Sequence, residues 1–410
     1  MSQHIPFSRE RRSLLLGLLA LALGACRADS APLTVYLLEG AVPAALLKAF
    51  GRQQSDAVQL KSRPQLLDLF KVLQQVASAD SADSDSETDE DAAKAAASPK
   101  ATIISLGDYW LAAAIQNRLI RPLPLRQVVG WSSLPKAWRQ LVTRDASGNP
   151  DENGQVWAAP YRTGSLVIAY RRAELAAQGP PPTDWQDLWR DELAGKISML
   201  DSDRAVIGVV LKALGRDPNT PDLAAVDDLE ARLTALHRNV RLYSSNAYLQ
   251  PLILGEVNVA VGWSTDILPL VRRNQRLAVA IPESGTLMTS DLWVQPAAPD
   301  RGPSNGDLSE GTLSALTEQW ISFFWQPEVA QRLSLLNAGI SPILLEQARE
   351  ALPPALRADA ALLPSRQIVD RSSPLLPLPP SAAAAYRQLW ASTRRSVSAA
   401  QGRGIFKIPS

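Results

Sequence analysis

Few side chains in this sequence are suited to catalysis. Two of its 410 residues are histidines and one is a cysteine. His4 lies in a segment interpreted below as a leader, which leaves His237 as the one imidazole beyond it. Ser-His-Asp hydrolases, histidine-based metalloenzymes and paired-cysteine sites are therefore disfavoured. Residues 262–266 (GWSTD) begin like the nucleophile elbow of a hydrolase but lack its final glycine. The sequence thus predicts a protein that is not an enzyme.

Acidic residues are concentrated in one segment that invites comparison with a calcium loop. Residues 80–91 contain seven acids. In an EF-hand counted from Asp83, the sixth position would be Thr88, where glycine is needed, and the twelfth would be Lys94, where glutamate is needed. Ferric iron is not expected either, because none of the seven tyrosines is adjacent to another. We therefore expect no metal and no cofactor.

The overall composition is that of a globular protein with almost no net charge. Lys and Arg number 42 against 41 Asp and Glu, which gives a formal net charge of +1, and 46% of the residues are hydrophobic. This balance predicts no basic surface for nucleic acid. A chain of this length predicts two or three compact units.

The N-terminal segment has the pattern of an export signal. Charged residues 9–12 (RERR) precede a twelve-residue, mainly apolar run at 13–24. Twelve helical residues rise only about 18 Å, short of the roughly 30 Å hydrocarbon core of a membrane. Residues 23–26 (LGAC) resemble the bacterial lipobox, in which the cysteine is lipidated and becomes the first mature residue. We therefore expect a lipid on Cys26, and a location in the periplasm or on the outer face of the cytoplasmic membrane. The choice between the general and the twin-arginine export route stays open.

Strand and helix patterns alternate along the rest of the chain. Apolar runs typical of strands occur at 33–38, 101–105, 165–170, 197–200 and 257–261. Helical patterns follow them near 43–50, 109–120, 184–193, 205–214 and 265–273, and others close the chain at 313–324, 328–336 and 344–351. Such alternation favours α/β units with parallel sheets. Residues 77–100 lack apolar periodicity and predict a disordered insertion, and residues 373–380 predict an extended proline-rich strap.

Short segments, taken in their order along the chain, resemble a known family. They are 184–189 (DWQDLW), 195–204 (GKISMLDSDR), 211–215 (LKALG), 255–263 (GEVNVAVGW), 282–286 (PESGT), 291–296 (DLWVQP), 320–324 (WISFF) and 327–330 (PEVA). The set is similar to that of the extracytoplasmic solute-binding proteins of ABC importers, most closely the spermidine/putrescine-binding family. The resemblance runs from about residue 33 to 345, apart from the acidic insertion.

The resemblance implies an α/β, two-lobed periplasmic-binding-protein fold of type II-like topology. Each lobe would be a mostly parallel sheet flanked by helices, and hinge strands would let the lobes close on a ligand. The implied divisions are a lipoprotein signal peptide at 1–25, a tether at 26–32, lobe 1 at 33–161 with the insertion at 77–100, lobe 2 at 162–288, a return to lobe 1 at 289–340, and C-terminal helices and strap at 341–410 packing on lobe 2.

The resemblance also implies a ligand site between the lobes. A polyamine site needs carboxylates at the amine positions and aromatic faces along the methylenes. The family pattern places Trp263 as a stacking ring and Asp266 and Asp291 as amine-binding carboxylates. Further contacts are implied at Glu39, Tyr109, Tyr161, Ser202 and Asp203. The alternative is that Trp263 belongs to the core and Asp266 merely favours a helix N-terminus.

Two arginines lie near the implied site. Arg162 stands where the family often has an apolar or aromatic residue, and Arg204 lies in the lobe 2 loop. They favour an alternative in which the same fold binds a different, anionic solute. A third hypothesis is a scaffold or receptor lipoprotein without transport. The leading hypothesis implies a monomer that binds a small molecule, contacts ABC permease subunits, attaches to the membrane through Cys26 and binds no nucleic acid.

Overall fold

The computed structural model describes residues 33–53, 58–77, 101–297 and 313–402. The expected leader, Cys26 and almost all of the acidic insertion lie outside these ranges. In the part of the chain that is described, no helix is both long and apolar enough to cross a membrane.

Strands and helices alternate through most of the described chain. The strands are β1 (Leu33–Leu38), β2 (Val58–Arg63), β3 (Thr102–Gly107), β4 (Thr143–Arg144), β5 (Gln155–Val156), β6 (Ala159–Arg171), β7 (Ile197–Met199), β8 (Val240–Tyr243), β9 (Val259–Trp263), β10 (Leu277–Ala280), β11 (Leu287–Val294) and β12 (Ser373–Pro374). The helices are α1 (Ala44–Gln53), α2 (Leu66–Ala77), α3 (Leu111–Gln116), α4 (Lys136–Val142), α5 (Arg172–Ala176), α6 (Asp203–Ala213), α7 (Leu229–Asn239), α8 (Gln250–Leu254), α9 (Ser264–Arg273), α10 (Ala315–Trp325), α11 (Pro327–Leu336), α12 (Pro354–Ala358), α13 (Arg366–Arg371) and α14 (Pro380–Gly402).

One large sheet is parallel at both ends and antiparallel in the middle. Its main order is β2-β1-β3-β11-β6-β9-β7-β8, with β10 beside β6 and β12 beside β11. At one end β1 pairs in parallel with β2 and β3, and at the other β7 pairs in parallel with β8 and β9. In the middle, β11 and β6 pair antiparallel with each other. These two strands therefore join two α/β units.

Each parallel end of the sheet has its own hydrophobic cluster. The first cluster includes β1, β3, α10 and α11, and the second includes β7, β9, α6 and α7. Strand β6 runs from Tyr161 in the first cluster to Leu166 in the second, and β11 returns from Leu287 in the second to Leu292 in the first. We therefore describe two lobes, with β6 and β11 as the hinge strands.

Residues 184–193 form two short 3-10 turns rather than the predicted helix. The indole N–H of Trp185 donates to the carbonyl oxygen of Gly285, and that of Trp189 to the carbonyl oxygen of Arg232, each at 2.9 Å. Both indole rings are therefore bonded to backbone far along the chain. Such tertiary contacts can override the helix that the apolar periodicity predicts.

The C-terminal part of the chain is divided between the two lobes. Leu344, Leu356 and Leu363 are buried in the first cluster, whereas Tyr386 and Trp390 of α14 are buried in the second. The prediction that all of 341–410 packs on lobe 2 is therefore wrong for its first part. The first part of 341–410 follows α11 after a short connection, and short connections keep consecutive elements adjacent, so this part stays on lobe 1. The helix predicted at 344–351 is also reduced to short 3-10 turns.

Candidate functional site

A buried ion pair lies where the two hinge strands are in register. Arg162 on β6 is the direct partner of Asp291 on β11. Nε of Arg162 donates to Oδ2 of Asp291 at 2.6 Å, and Nη2 of Arg162 contacts the same oxygen. The two side chains are only 9% and 11% exposed. Burial lowers the pKa of Arg162, but its interactions with Asp291, Tyr161 and Asp266 together raise it by more, so that the guanidinium stays ionised.

Asn337 connects this ion pair to the loop that follows β1. Its Oδ1 accepts a hydrogen bond from Nη1 of Arg162 at 3.2 Å. Its Nδ2 donates to the carbonyl oxygens of Gly40, at 3.2 Å, and Ala41. Glu39, the first residue after β1, is therefore adjacent to a loop that is tied to the hinge, and its own side chain is exposed.

Asp266 lies in the first turn of α9 and is held by a tyrosine. The hydroxyl of Tyr248 donates to Oδ2 of Asp266 at 3.0 Å. Gly262 makes room for this arrangement, because a Cβ at that position would come within 2.0 Å of the Tyr248 ring. Burial raises the pKa of Asp266, the Tyr248 hydrogen bond and the Arg162 charge oppose that rise, and the Asp291 charge adds to it. The carboxylate of Asp266 therefore lies within electrostatic range of the hinge ion pair.

Trp263 is the last residue of β9 and immediately precedes α9. It packs against the second cluster but remains partly exposed. Its ring thus contributes to the core and still has surface available to a solute. Asp266 follows three residues later, which brings an aromatic ring and a carboxylate to the start of the same helix.

Asp108 contributes a second buried carboxyl group beside the hinge. Its Oδ1 accepts from Oγ1 of Thr289 at 2.8 Å, and its Oδ2 accepts from the backbone N–H of Ser290 at 2.9 Å. Burial raises the pKa of Asp108 to about 7, although both hydrogen bonds and the charge of Arg144 act in the opposite direction. The hydrogen bonds that join Asp108 to β11 were not predicted from the sequence.

Tyr109 places an exposed aromatic ring next to these carboxyl groups. Its side chain is 55% exposed. The ring lies against Gly107, where a Cβ would come within 2.7 Å of it. Partial burial of the side chain raises the pKa of Tyr109, with smaller contributions from the charges of Asp291 and Asp108. Tyr109 therefore lies in the same electrostatic environment as the hinge ion pair.

Tyr161 does not join this group. Its side chain is fully buried, its ring stacks on Trp293 with the centroids 4.0 Å apart, and its hydroxyl lies 2.9 Å from Oγ of Ser105. The predicted ligand contact is thus corrected to a packing role in the first cluster in this conformation. The cause is strand alternation, which places the side chains of Tyr161 and Arg162 on opposite faces of β6.

Ser202 and Asp203 make local contacts at the start of α6. Oγ of Ser202 accepts from the N–H of Ala205 at 3.3 Å, and Oδ1 of Asp203 accepts from the N–H of Arg204 at 2.7 Å. The Arg204 guanidinium donates to Asn219 Oδ1 and Leu376 O, at 2.8 and 3.0 Å. These contacts stabilise the N-terminus of α6 and its junction with the C-terminal strap. The structure does not bring Ser202, Asp203 or Arg204 to the hinge ion pair.

A cavity of about 240 Å³ lies beside another part of the hinge. Its walls include Trp138, Met288, Glu346 and Arg366. None of the residues assigned to the ligand site from the sequence lines it. The side chain of Met288 also lies on the face of β11 opposite Asp291, because side chains alternate along a strand.

The charged groups around the hinge nearly balance, and Asp266 is the one of them that is exposed. Three carboxyl groups (Asp108, Asp266 and Asp291) and two guanidinium groups (Arg144 and Arg162) each influence the pKa of another member of the group. Burial lowers the pKa of Arg144 to about 10, which still leaves it charged at neutral pH. With the other four groups ionised, the group is neutral when Asp108 is protonated and carries one negative charge when Asp108 is ionised, and its pKa of about 7 populates both states near neutral pH. Among the described residues, no cluster of three or more His, Cys, Asp or Glu side chains is placed to hold a metal.

Sequence analysis missed several residues of this arrangement, among them Tyr248 and Asn337. Both act through contacts with residues far along the chain or on another element. The sequence offers no periodic signal for either, although Gly262 immediately before Trp263 marks the space that Tyr248 occupies.

A family model described as "Bacterial extracellular solute-binding protein" matches residues 98–370, which is more than half of the chain. The chain belongs to this family. The family resemblance inferred from the sequence motifs is therefore confirmed, and the two lobes and their hinge are those of a solute-binding protein.

Individual relatives are more distant. The spermidine/putrescine-binding periplasmic protein 1 of Haemophilus influenzae is 26% identical over 270 residues, covering 66% of this chain and 68% of the relative. The spermidine/putrescine-binding periplasmic protein of Salmonella typhimurium is 26% identical over 222 residues, covering 54% of this chain and 59% of the relative. The aligned part thus spans about two thirds of the first relative and less of the second.

A solved structure supports the same architecture. The substrate-binding protein of a spermidine/putrescine ABC transporter from Streptococcus pneumoniae aligns with a TM-score of 0.69 at 18% identity, covering 89% of this chain and 99% of that one. At this identity the likeness establishes the fold. The predicted fold class, a two-lobed α/β periplasmic-binding-protein fold, is confirmed.

Proposed function

We propose that this protein is the receptor of an ABC importer and binds a small aliphatic amine of the polyamine class between its lobes. The observation that carries the proposal is the placement of Asp266, whose carboxylate is held by Tyr248 at 3.0 Å in the first turn of α9, three residues after the partly exposed Trp263. An ammonium group gains from a carboxylate, and the attached methylenes gain from an aromatic face.

The alternative of an anionic solute depended on Arg162 and Arg204. All three side-chain nitrogens of Arg162 already have partners in Asp291 and Asn337. Arg204 is directed toward Asn219 and the strap, and its guanidinium lies 5.0 Å from the centre of the Tyr386 ring. Since neither guanidinium is directed at an open site, the cationic solute is the better supported class.

The names of the relatives support the same class of solute. Proteins described as spermidine/putrescine-binding, from Haemophilus influenzae and Salmonella typhimurium, align with up to two thirds of the chain.

We extend the proposal to ABC permease subunits as partners and to a monomeric receptor without catalytic activity. We also propose an extracytoplasmic location with a lipid on Cys26, based on the export signal and the lipobox-like residues 23–26.

A thermal-shift screen tests the proposal directly. Residues 27–410 are purified and heated with spermidine, putrescine, amino acids, organic acids or phosphate. A ligand present at 100 times its dissociation constant stabilises the folded state by about 2.7 kcal/mol, which gives a measurable rise in Tm. A rise with amines supports the proposal. A rise with anions alone would contradict it, and no rise with any compound would favour the scaffold hypothesis.

A further inference from the structure

Arg162 presents a positive charge to the carboxylate that the family resemblance assigns to a solute amine. Its Nε and Nη2 both contact Oδ2 of Asp291, and its Nη1 donates to Oδ1 of Asn337. The charge of Asp291 is therefore compensated within the protein before any solute arrives. Asp266 has a tyrosine hydroxyl as its hydrogen-bond partner, so its negative charge is not paired in the same way.

The position of Arg162 is fixed by packing as well as by charge. A Cβ on Gly339 would come within 2.4 Å of Cγ of Arg162, so the stem of the arginine lies directly on this glycine. Asn337, two residues earlier, holds the end of the side chain and is itself bonded to the loop after β1. Oδ2 of Asp291 is therefore covered by a side chain that is held at both its stem and its head.

Displacement of Arg162 would also carry an electrostatic penalty. The two side chains of the pair are 9% and 11% exposed, and a charge left without its partner in such surroundings is strongly unfavourable. A second ammonium group near the pair would therefore face a carboxylate that is already neutralised and a guanidinium that repels it. Asp266, which bonds to a hydroxyl rather than to a guanidinium, is left as the carboxylate for one ammonium group.

We infer that Arg162 occupies the place of a second ammonium group, so that the site selects amines with one cationic end and a neutral remainder. This inference rests on the proposed function, because it assumes that an amine binds at Asp266. It makes Arg162 a specificity-determining residue. The class of solute it predicts is a monocationic aminoalkyl compound, such as a diamine with one end acylated.

Matched pairs of amines provide the test. The purified protein is titrated by calorimetry with diaminoalkanes of three, four and five methylenes and with their mono-N-acetyl derivatives. These pairs share the same chain and differ in the charge of one end. We expect the best acetylated amine to bind at least tenfold more tightly than the diamine of the same length. A diamine that binds as tightly as its acetylated partner would overturn the inference and leave the proposed function standing.

Variants of Arg162 assign the preference to this residue. Arg162→Ala should lose the preference for the acetylated amine or reverse it, whereas the matched control Arg162→Lys retains the positive charge and should keep the wild-type order. Arg162→Gln supplies the same information if the alanine variant does not fold. An unchanged preference in a folded uncharged variant would overturn the assignment. If the wild type binds neither amine of any pair, the proposed function fails and the inference fails with it.

Discussion

Arg162 on β6 and Asp291 on β11 are in-register partners that form a buried ion pair where the two lobes meet. The pair connects the two hinge strands across the sheet, and Asn337 extends it to the loop after β1. It therefore has a structural role in the hinge in addition to its effect on the charge of the site.

Removal of one member of this pair should destabilise the protein strongly. Arg162→Met or Asp291→Leu alone leaves one buried charge without a partner and should lower the free energy of unfolding by about 3–5 kcal/mol. The double variant removes both charges and should cost much less than the sum of the single variants. Urea denaturation of the four proteins measures the coupling. Additive costs would show that the two side chains do not act as a pair.

Substitutions in the proposed amine site should weaken binding without loss of the fold. Asp266→Asn removes the carboxylate and Trp263→Ala removes the ring, and each should lower the affinity for the bound amine at least tenfold, or about 1.4 kcal/mol. Asp370→Asn is a matched control, because Asp370 is an exposed acid that pairs with Arg366 on α13. Titrations that give wild-type affinity for both site variants would remove the assignment of the site.

The hydroxyl of Tyr248 should affect the pH dependence of binding. Its hydrogen bond favours the ionised form of Asp266 and so opposes the rise in pKa that burial causes. In Tyr248→Phe the pKa of Asp266 should rise further, and amine affinity should begin to fall at a higher pH as the solution is acidified. Titrations with the amine from pH 8 to pH 5 measure the shift in the pH at which the affinity begins to fall. Tyr170→Phe, which alters a tyrosine on β6, is the control, and identical pH profiles for all three proteins would contradict this role.

Asp108 should make the folded state less stable as pH rises. Burial raises its pKa from 3.8 to about 7, so the folded protein binds more protons than the unfolded chain between these values. Stability contributed by the neutral carboxyl is therefore lost as pH increases through that window, by about 1.4 kcal/mol for each unit of pKa difference. Asp108→Asn should reduce this loss between pH 5 and pH 7.5, measured by urea denaturation. Parallel pH profiles of wild type and variant would show that Asp108 does not titrate in this range.

The proposed membrane anchor would depend on a single thiol, that of Cys26. Cys26→Ser removes the atom that would carry the lipid, so the full-length chain expressed in bacteria should lose its acylation. Mass spectrometry and detergent partitioning measure the change. A serine variant that still partitions with membranes to the wild-type extent would show that another part of the chain provides the attachment.

Much of the architecture could be predicted from local patterns. The order of the segments between residues 184 and 330 indicated the family, and the alternation of strand and helix patterns indicated an α/β fold. The scarcity of histidine and cysteine disfavoured most catalytic and metal sites. The closeness of Trp263 to Asp266 followed from the chain itself, because three residues at the start of a helix span about one turn.

Tertiary structure decided which side chains belong to the site and which charges remain available in it. Arg162 and Asp291 are 129 residues apart in the chain, and only the antiparallel register of β6 and β11 makes them a pair. The same strand directs Tyr161 into the core, although its neighbour Arg162 faces Asp291. Periodicity identifies a buried strand but does not specify its partner or its register, and a shift of one residue exchanges its two faces. The sequence by itself determined the fold class and the family, whereas the charge balance of the site was decided by pairing across the hinge.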